Sequence, residues 1–96
     1  MPKVEIARRA AREIELARRW WLKHRDKAPH AFDDDLEQVV AQLRAHPQLV
    51  GRLERDGTRR RVLLRRLRYY LYFRVVDGGE RVQILALWHM SRGRAP

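Results

Sequence analysis

The residues best equipped for chemistry near neutral pH are His89 and Arg92, which stand three positions apart after the last apolar run of the chain. An imidazole accepts and returns a proton in the physiological range, and a guanidinium holds a phosphate or a developing oxyanion. Arg65 or Arg68, from neighbouring strands, would add positive charge, so the set suits acid–base cleavage of a phosphodiester. His89 could equally do no more than cap the last strand at a sheet edge. Arg59, Arg60, Arg61, Arg65, Arg66 and Arg68 run into Tyr69, Tyr70 and Tyr72. This mixture offers cations for phosphates and rings for base stacking. Asp33, Asp34 and Asp35 form an acidic cluster, but the dipole at the start of a helix favours anions there without any metal. No metal site is expected. Cysteine is absent, which excludes disulfides, thiol nucleophiles and thiolate metal sites. No cofactor is implied.

These groups need elements to position them. Lys3-Val4-Glu5-Ile6 alternates polar and apolar, as a short first strand does. Ala10, Ile14, Ala17 and Trp21 then recur at helical spacing and line one side of a helix from Ala7 to about Arg25. Leu16 and Trp20, four apart, lie off that stripe and make a second contact surface. Asp26-Lys27-Ala28-Pro29 reads as a connection, because proline suits a helix start and restricts its predecessor. From His30 a second helix carries Phe32, Leu36, Val39, Val40 and Leu43 on its apolar side and ends near His46-Pro47. Between Gln48 and Thr58 there is no strong period, and Gly51 and Gly57 mark turns.

Three strands come next. Arg61 to Leu67 is expected as the first of them, and Tyr69 to Val76, rich in β-branched and aromatic residues, as the second. Asp77-Gly78-Gly79-Glu80 is a hairpin signal, with glycines for positive φ, and Arg81 to about His89 completes the pair. Alternation puts Tyr69, Leu71, Phe73 and Val75 on the core face of the second strand. Tyr70, Tyr72, Arg74 and Val76 then face solvent or a partner, and Trp88 is expected in the core. The order β-α-α-β-β-β, an N-terminal strand, a helical hairpin and a three-stranded antiparallel meander, is an α+β architecture in one domain over residues 1–96.

At 96 residues the chain can build one modest core, burying roughly 60–70% of its unfolded surface. The formal net charge is +10, which attracts polyanions or an acidic protein. No apolar run approaches the roughly 20 residues of a membrane span, and no signal peptide is evident, so a cytoplasmic protein is expected.

The text Arg68-Tyr69-Tyr70-Leu71-Tyr72-Phe73-Arg74-Val75-Val76-Asp77, a short turn, Val82-Gln83-Ile84-Leu85-Ala86-Leu87-Trp88-His89 and then Ser91-Arg92 resembles the C-terminal half of RelE/ParE toxins. The helical hairpin and the pattern of Leu43, Pro47 and Gly51 ahead of the sheet are similar too. The resemblance covers nearly the whole chain and implies the toxin of a type II toxin–antitoxin module. Its RelE-like branch cleaves messenger RNA on the ribosome with basic side chains. On that pattern Arg61 matches the first basic residue and Arg92 answers to the C-terminal arginine. Leu63 stands where a second lysine is expected, Tyr70 replaces the phosphate-holding arginine, and no tyrosine follows Arg92. The resemblance therefore implies the ParE-like branch, whose members poison DNA gyrase. The partners it implies are an acidic cognate antitoxin and gyrase, through Leu16, Trp20, Arg65, Arg68, Tyr70, Tyr72 and Arg74. The alternatives are a ribosome-dependent nuclease using Arg61, His89 and Arg92, and a non-enzymatic nucleic-acid-binding domain.

Overall fold

The computed structural model describes residues 1–25 and 28–92. The first strand, β1 (Lys3–Ile6), pairs in parallel with the last, β5 (Arg81–His89), setting Val4 opposite Val82 and Ile6 opposite Ile84. Between them in sequence come α1 (Arg8–His24), α2 (Ala31–Ala45), the two-residue β2 (Arg52–Leu53), β3 (Arg59–Leu64) and β4 (Tyr69–Val76). The sheet runs β1-β5-β4-β3-β2, antiparallel except at β1. The expected α+β order and the β3-β4-β5 meander are therefore present. The expected connection over 26–29 falls partly outside the described residues; within it the indole N–H of Trp21 donates to the carbonyl of Ala28 at 2.6 Å.

Both helices bury their apolar stripes in one cluster. Ala10, Ile14 and Ala17 of α1 and Phe32, Val39 and Leu43 of α2 meet Leu64, Leu71, Phe73, Val82, Ile84 and Leu87 of the sheet. Because strand side chains alternate, a core made of these residues leaves the other sheet face without a helix. Among the described residues no helix is long and apolar enough to cross a membrane.

Four expectations need correction. The stretch expected to be irregular contains β2, whose two residues pair with Arg60 and Arg61; two residues are too few to show a period. The third strand starts at Arg59 and stops at Leu64, not Leu67. It stops because the N–H groups of Leu67 and Arg68 both turn back to the carbonyl of Leu64, at 3.2 and 2.8 Å, so Arg65 and Arg68 belong to a turn and not to a strand. Tyr72, expected on the open face, is on that face yet only 1% exposed. The Arg59 guanidinium lies 4.6 Å over its ring, and the small Ala86 is its neighbour on β5. Trp88, expected in the core, is half-buried on the face opposite the core cluster. The hairpin is a four-residue link, Val76 pairing with Arg81, with positive φ at Asp77 and at both glycines.

A side chain completes the sheet where its first strand runs out. β1 ends at Ile6, so the second half of β5 has β4 on one side and no strand on the other; α1 passes there instead, and a Glu13 carboxylate oxygen accepts the Leu87 N–H at 3.1 Å.

Candidate functional site

Among the described residues, two concave surfaces combine arginines with aromatic side chains, one on the open sheet face and one at the sheet's end. The open face is tiled by guanidinium groups lying on rings: Arg61 is 4.5 Å from the centroid of Tyr70, and Arg92 is 4.4 Å from that of Trp88. Tyr70 and Trp88 are cross-strand partners, so Arg61, Tyr70, Trp88 and Arg92 form a row across β3, β4 and β5. Arg9 from α1 approaches the same indole at 5.7 Å, and the Trp88 N–H is buried without an acceptor among the described residues. Beside this row a hollow of about 430 Å³ is lined by Arg52, Arg61, Arg65, Leu63 and Tyr70, with no acidic residue among the described ones in its lining, although an adjoining hollow that shares Arg52 and Arg61 also has Glu54 and Asp56. Arg52 stands directly opposite Arg61 in the ladder. Like charges placed opposite one another are destabilising in a sheet, and an anion between them removes the penalty.

The second surface is a cleft of about 370 Å³ where the end of α1 faces the turn between β3 and β4. Trp20 and Trp21 come from α1, Tyr69 and His89 from paired strand positions, and Arg25, Arg66 and Arg68 bring three positive charges. Trp20 stacks on His24 with centroids 4.6 Å apart, and Arg25 lies over both indoles at 5.6 and 5.9 Å. Arg68 has φ 60, a left-handed conformation that costs an L-residue roughly 1–2 kcal/mol. Arg66 makes a two-oxygen contact with Asp35, which raises its already high pKa and fixes the turn to α2. Burial holds the Tyr69 hydroxyl above its ordinary pKa, an effect the Arg92 charge partly offsets.

The acidic run at the start of α2 has a structural use. Asp33 accepts from Arg18 of α1 at 2.7 Å and Asp35 from Arg66, so two of the three aspartates tie α2 to its neighbours.

The structure brings Arg65 and Tyr70 together with Arg61 in the hollow, and Trp20 and Arg68 together in the cleft. Arg74 sits further along the open face, donating to Gln83 at 2.6 Å. Leu16 is exposed on α1 and lines neither surface. The phosphodiester-cleaving set is divided: Arg61 and Arg92 lie on the rings of the open face, whereas His89 packs edge-on against Tyr69 on the other side and bonds to the Ser91 hydroxyl at 2.7 Å. Leu63 and Tyr70, the two positions that lack the cations of the RelE pattern, are direct cross-strand partners. The residues that sequence reasoning passed over are Arg9, Arg25 and Arg52. Helical spacing carries a partial signal for Arg25, four or five residues beyond the two indoles; nothing in the sequence sets Arg52 against Arg61.

The family model described as the ParE toxin of the type II toxin-antitoxin system, parDE, matches residues 4–93. No curated protein matches the chain. Among solved structures, a chain of the chromosomal ParDE toxin–antitoxin system from P. aeruginosa superposes with a TM-score of 0.75 at 25% identity, over 93% of this chain and 96% of that one.

Proposed function

The chain belongs to the ParE toxin family of type II toxin–antitoxin systems, and from that premise we propose that it is a cytoplasmic toxin that inhibits DNA gyrase by binding and is silenced by an acidic antitoxin. The observation that carries the antitoxin half is the acid-free hollow on the open sheet face, with Arg52 set against Arg61 and Arg65 beside them. A partner carboxylate there relieves the repulsion and gains charge-assisted hydrogen bonds, while Tyr70 gives the partner a ring to pack on. Arg74 extends the same face. Trp20, with Leu16 one turn before it, and Arg68 are left for the target.

Inhibition by binding suits the site better than bond-making does. A nuclease needs its base, its acid and its phosphate holder within reach of one scissile bond. Here His89 is on the other side of the sheet from Arg61, and Leu63 and Tyr70 put an apolar chain and a phenol at the middle of the open face.

Purified toxin added to gyrase and relaxed plasmid should block supercoiling or trap cleaved DNA. Adding the cognate antitoxin in equal amount should restore the activity. Uninhibited gyrase at saturating toxin would sink the target assignment, and messenger RNA cleavage on translating ribosomes, lost in His89→Ala, would replace it.

A further inference from the structure

We propose that the cleft between α1 and the β3–β4 turn binds one nucleotide unit of a single DNA strand, with the base against the rings and the phosphate on the arginines. This deepens the gyrase proposal and rests on it only for the source of the strand, the duplex that gyrase opens.

The two concave surfaces differ in one respect that decides between ligands. The hollow on the open face has three arginines and a single ring; the cleft has three arginines and four rings, two from α1 and two from the sheet. Arginines alone suit any anion. Rings drawn from two elements suit a flat group, provided that Arg25 moves off the indoles it covers, and a nucleotide is a flat group joined to an anion that gives Arg25 a new partner. The cleft's 370 Å³ lies within the range of about 300–1,000 Å³ in which small ligands are held.

The arrangement is costly without an occupant. Trp20 is 46% exposed, although a polar residue at this outer helix position would serve the fold as well. Arg68 occupies a backbone position where glycine is the unstrained choice, and the strain sets a cation at the cleft. Its carbonyl accepts from Met90 N–H at 2.9 Å, which fixes the turn against the residues following β5. Arg66, held by Asp35, and Arg25, over both indoles, place the other two charges. No described residue of the lining is acidic; Asp35, which holds Arg66 from outside it, offsets that charge, so Arg25 and Arg68 are the cations left for a phosphate.

A stacked base adds roughly 5- to 150-fold to affinity over the charge contribution alone. The test therefore compares a fluorescent thymidylate pentamer with an abasic pentamer of equal charge, by anisotropy with the antitoxin-free full chain in about 100 mM salt. The thymidylate should bind at least about tenfold more tightly. Trp20→Ala should bring the ratio to about one and Trp20→Phe should keep most of it. Arg68→Ala should weaken both oligomers alike. Circular dichroism of each variant checks that the fold is intact. Equal binding of the two pentamers to the unaltered chain would overturn the proposal. So would a ratio unmoved by Trp20→Ala, or displacement of thymidylate by an acidic peptide of equal charge bearing one phenylalanine as readily as by unlabelled thymidylate. Supercoiling measured on the same preparations separates the two ideas: gyrase inhibition with no preference for bases removes this site alone, and base-dependent binding with uninhibited gyrase removes the target alone.

Discussion

Gly51, Gly57 and Arg68 all have positive φ, but they make unequal demands on their side chains. At Gly51 a Cβ would stand 2.3 Å from the carbonyl oxygen of Arg61, a backbone atom that cannot move aside, and φ is +69. At Gly57 φ is +79 but a Cβ would meet nothing within 4 Å. Gly51→Ala should therefore lose roughly 2–4 kcal/mol, from left-handed strain plus overpacking, and Gly57→Ala only about 1 kcal/mol, from strain. Arg68→Gly should move the other way, gaining up to about 1 kcal/mol after the added freedom of the unfolded glycine is subtracted. Urea denaturation midpoints of the three variants test the order, and a Gly57→Ala loss as large as that of Gly51→Ala would overturn it. Gly51 was legible in the sequence as a turn. Arg68 was not: a turn made of Arg65-Arg66-Leu67-Arg68 lacks the glycine, proline, asparagine or aspartate that announces one. The burial of Tyr72 escaped the sequence for a related reason. Alternation gives its face correctly, but its burial depends on a long Arg59 side chain lying across the ring, and no periodicity encodes that.

Elements whose signals lie within themselves were legible in the sequence: α1 and α2 by their stripes, and β4 to the residue and β5 closely by β-branched and aromatic runs joined by Gly78-Gly79. Elements defined by a neighbour were not. β2 exists only through its pairing with β3, and the parallel seating of β1 beside β5 depends on where α1 returns the chain. The end of α1's influence on the sheet is the Glu13 contact with Leu87. This carboxylate fills the ladder position that β1 is too short to occupy, and it blunts an edge that would otherwise offer an unpaired donor. Glu13→Ala should cost about 1–3 kcal/mol, the penalty of an unsatisfied part-buried N–H, whereas Glu13→Gln keeps an acceptor and should cost less than about 1 kcal/mol. Equal losses in the two variants, measured by thermal or urea unfolding, would mean that charge or packing and not the hydrogen bond is what Glu13 supplies.

At the scale of the molecule, the charge of +10 is spread unevenly. Glu13, Glu15 and Asp33 hold arginines around the helices, Asp35 holds Arg66 at the edge of the cleft, and Glu54 pairs with Arg59 at one margin of the open face. The hollow and the cleft are left lined by arginine, without carboxylates among their described residues. Composition pointed to a polyanionic or acidic partner as an expectation; it offered no way to tell that the arginines divide into a ring-poor hollow and a ring-rich cleft, because that division depends on strand register and on the turn that follows Leu64 and carries Arg66 and Arg68. The unevenness has a kinetic consequence. On the function proposed above, an acidic antitoxin approaching the open face would be steered by the summed field, so its association rate should fall by about 10- to 100-fold between roughly 50 and 500 mM salt. Its dissociation rate, set by contacts already shielded from solvent, should change far less. Arg61→Gln together with Arg65→Gln should flatten that salt dependence, while Arg25→Gln, in the cleft, should leave most of it in place. Stopped-flow association with the cognate antitoxin measures both, and an association rate indifferent to salt would mean that the open face is not where the antitoxin first lands.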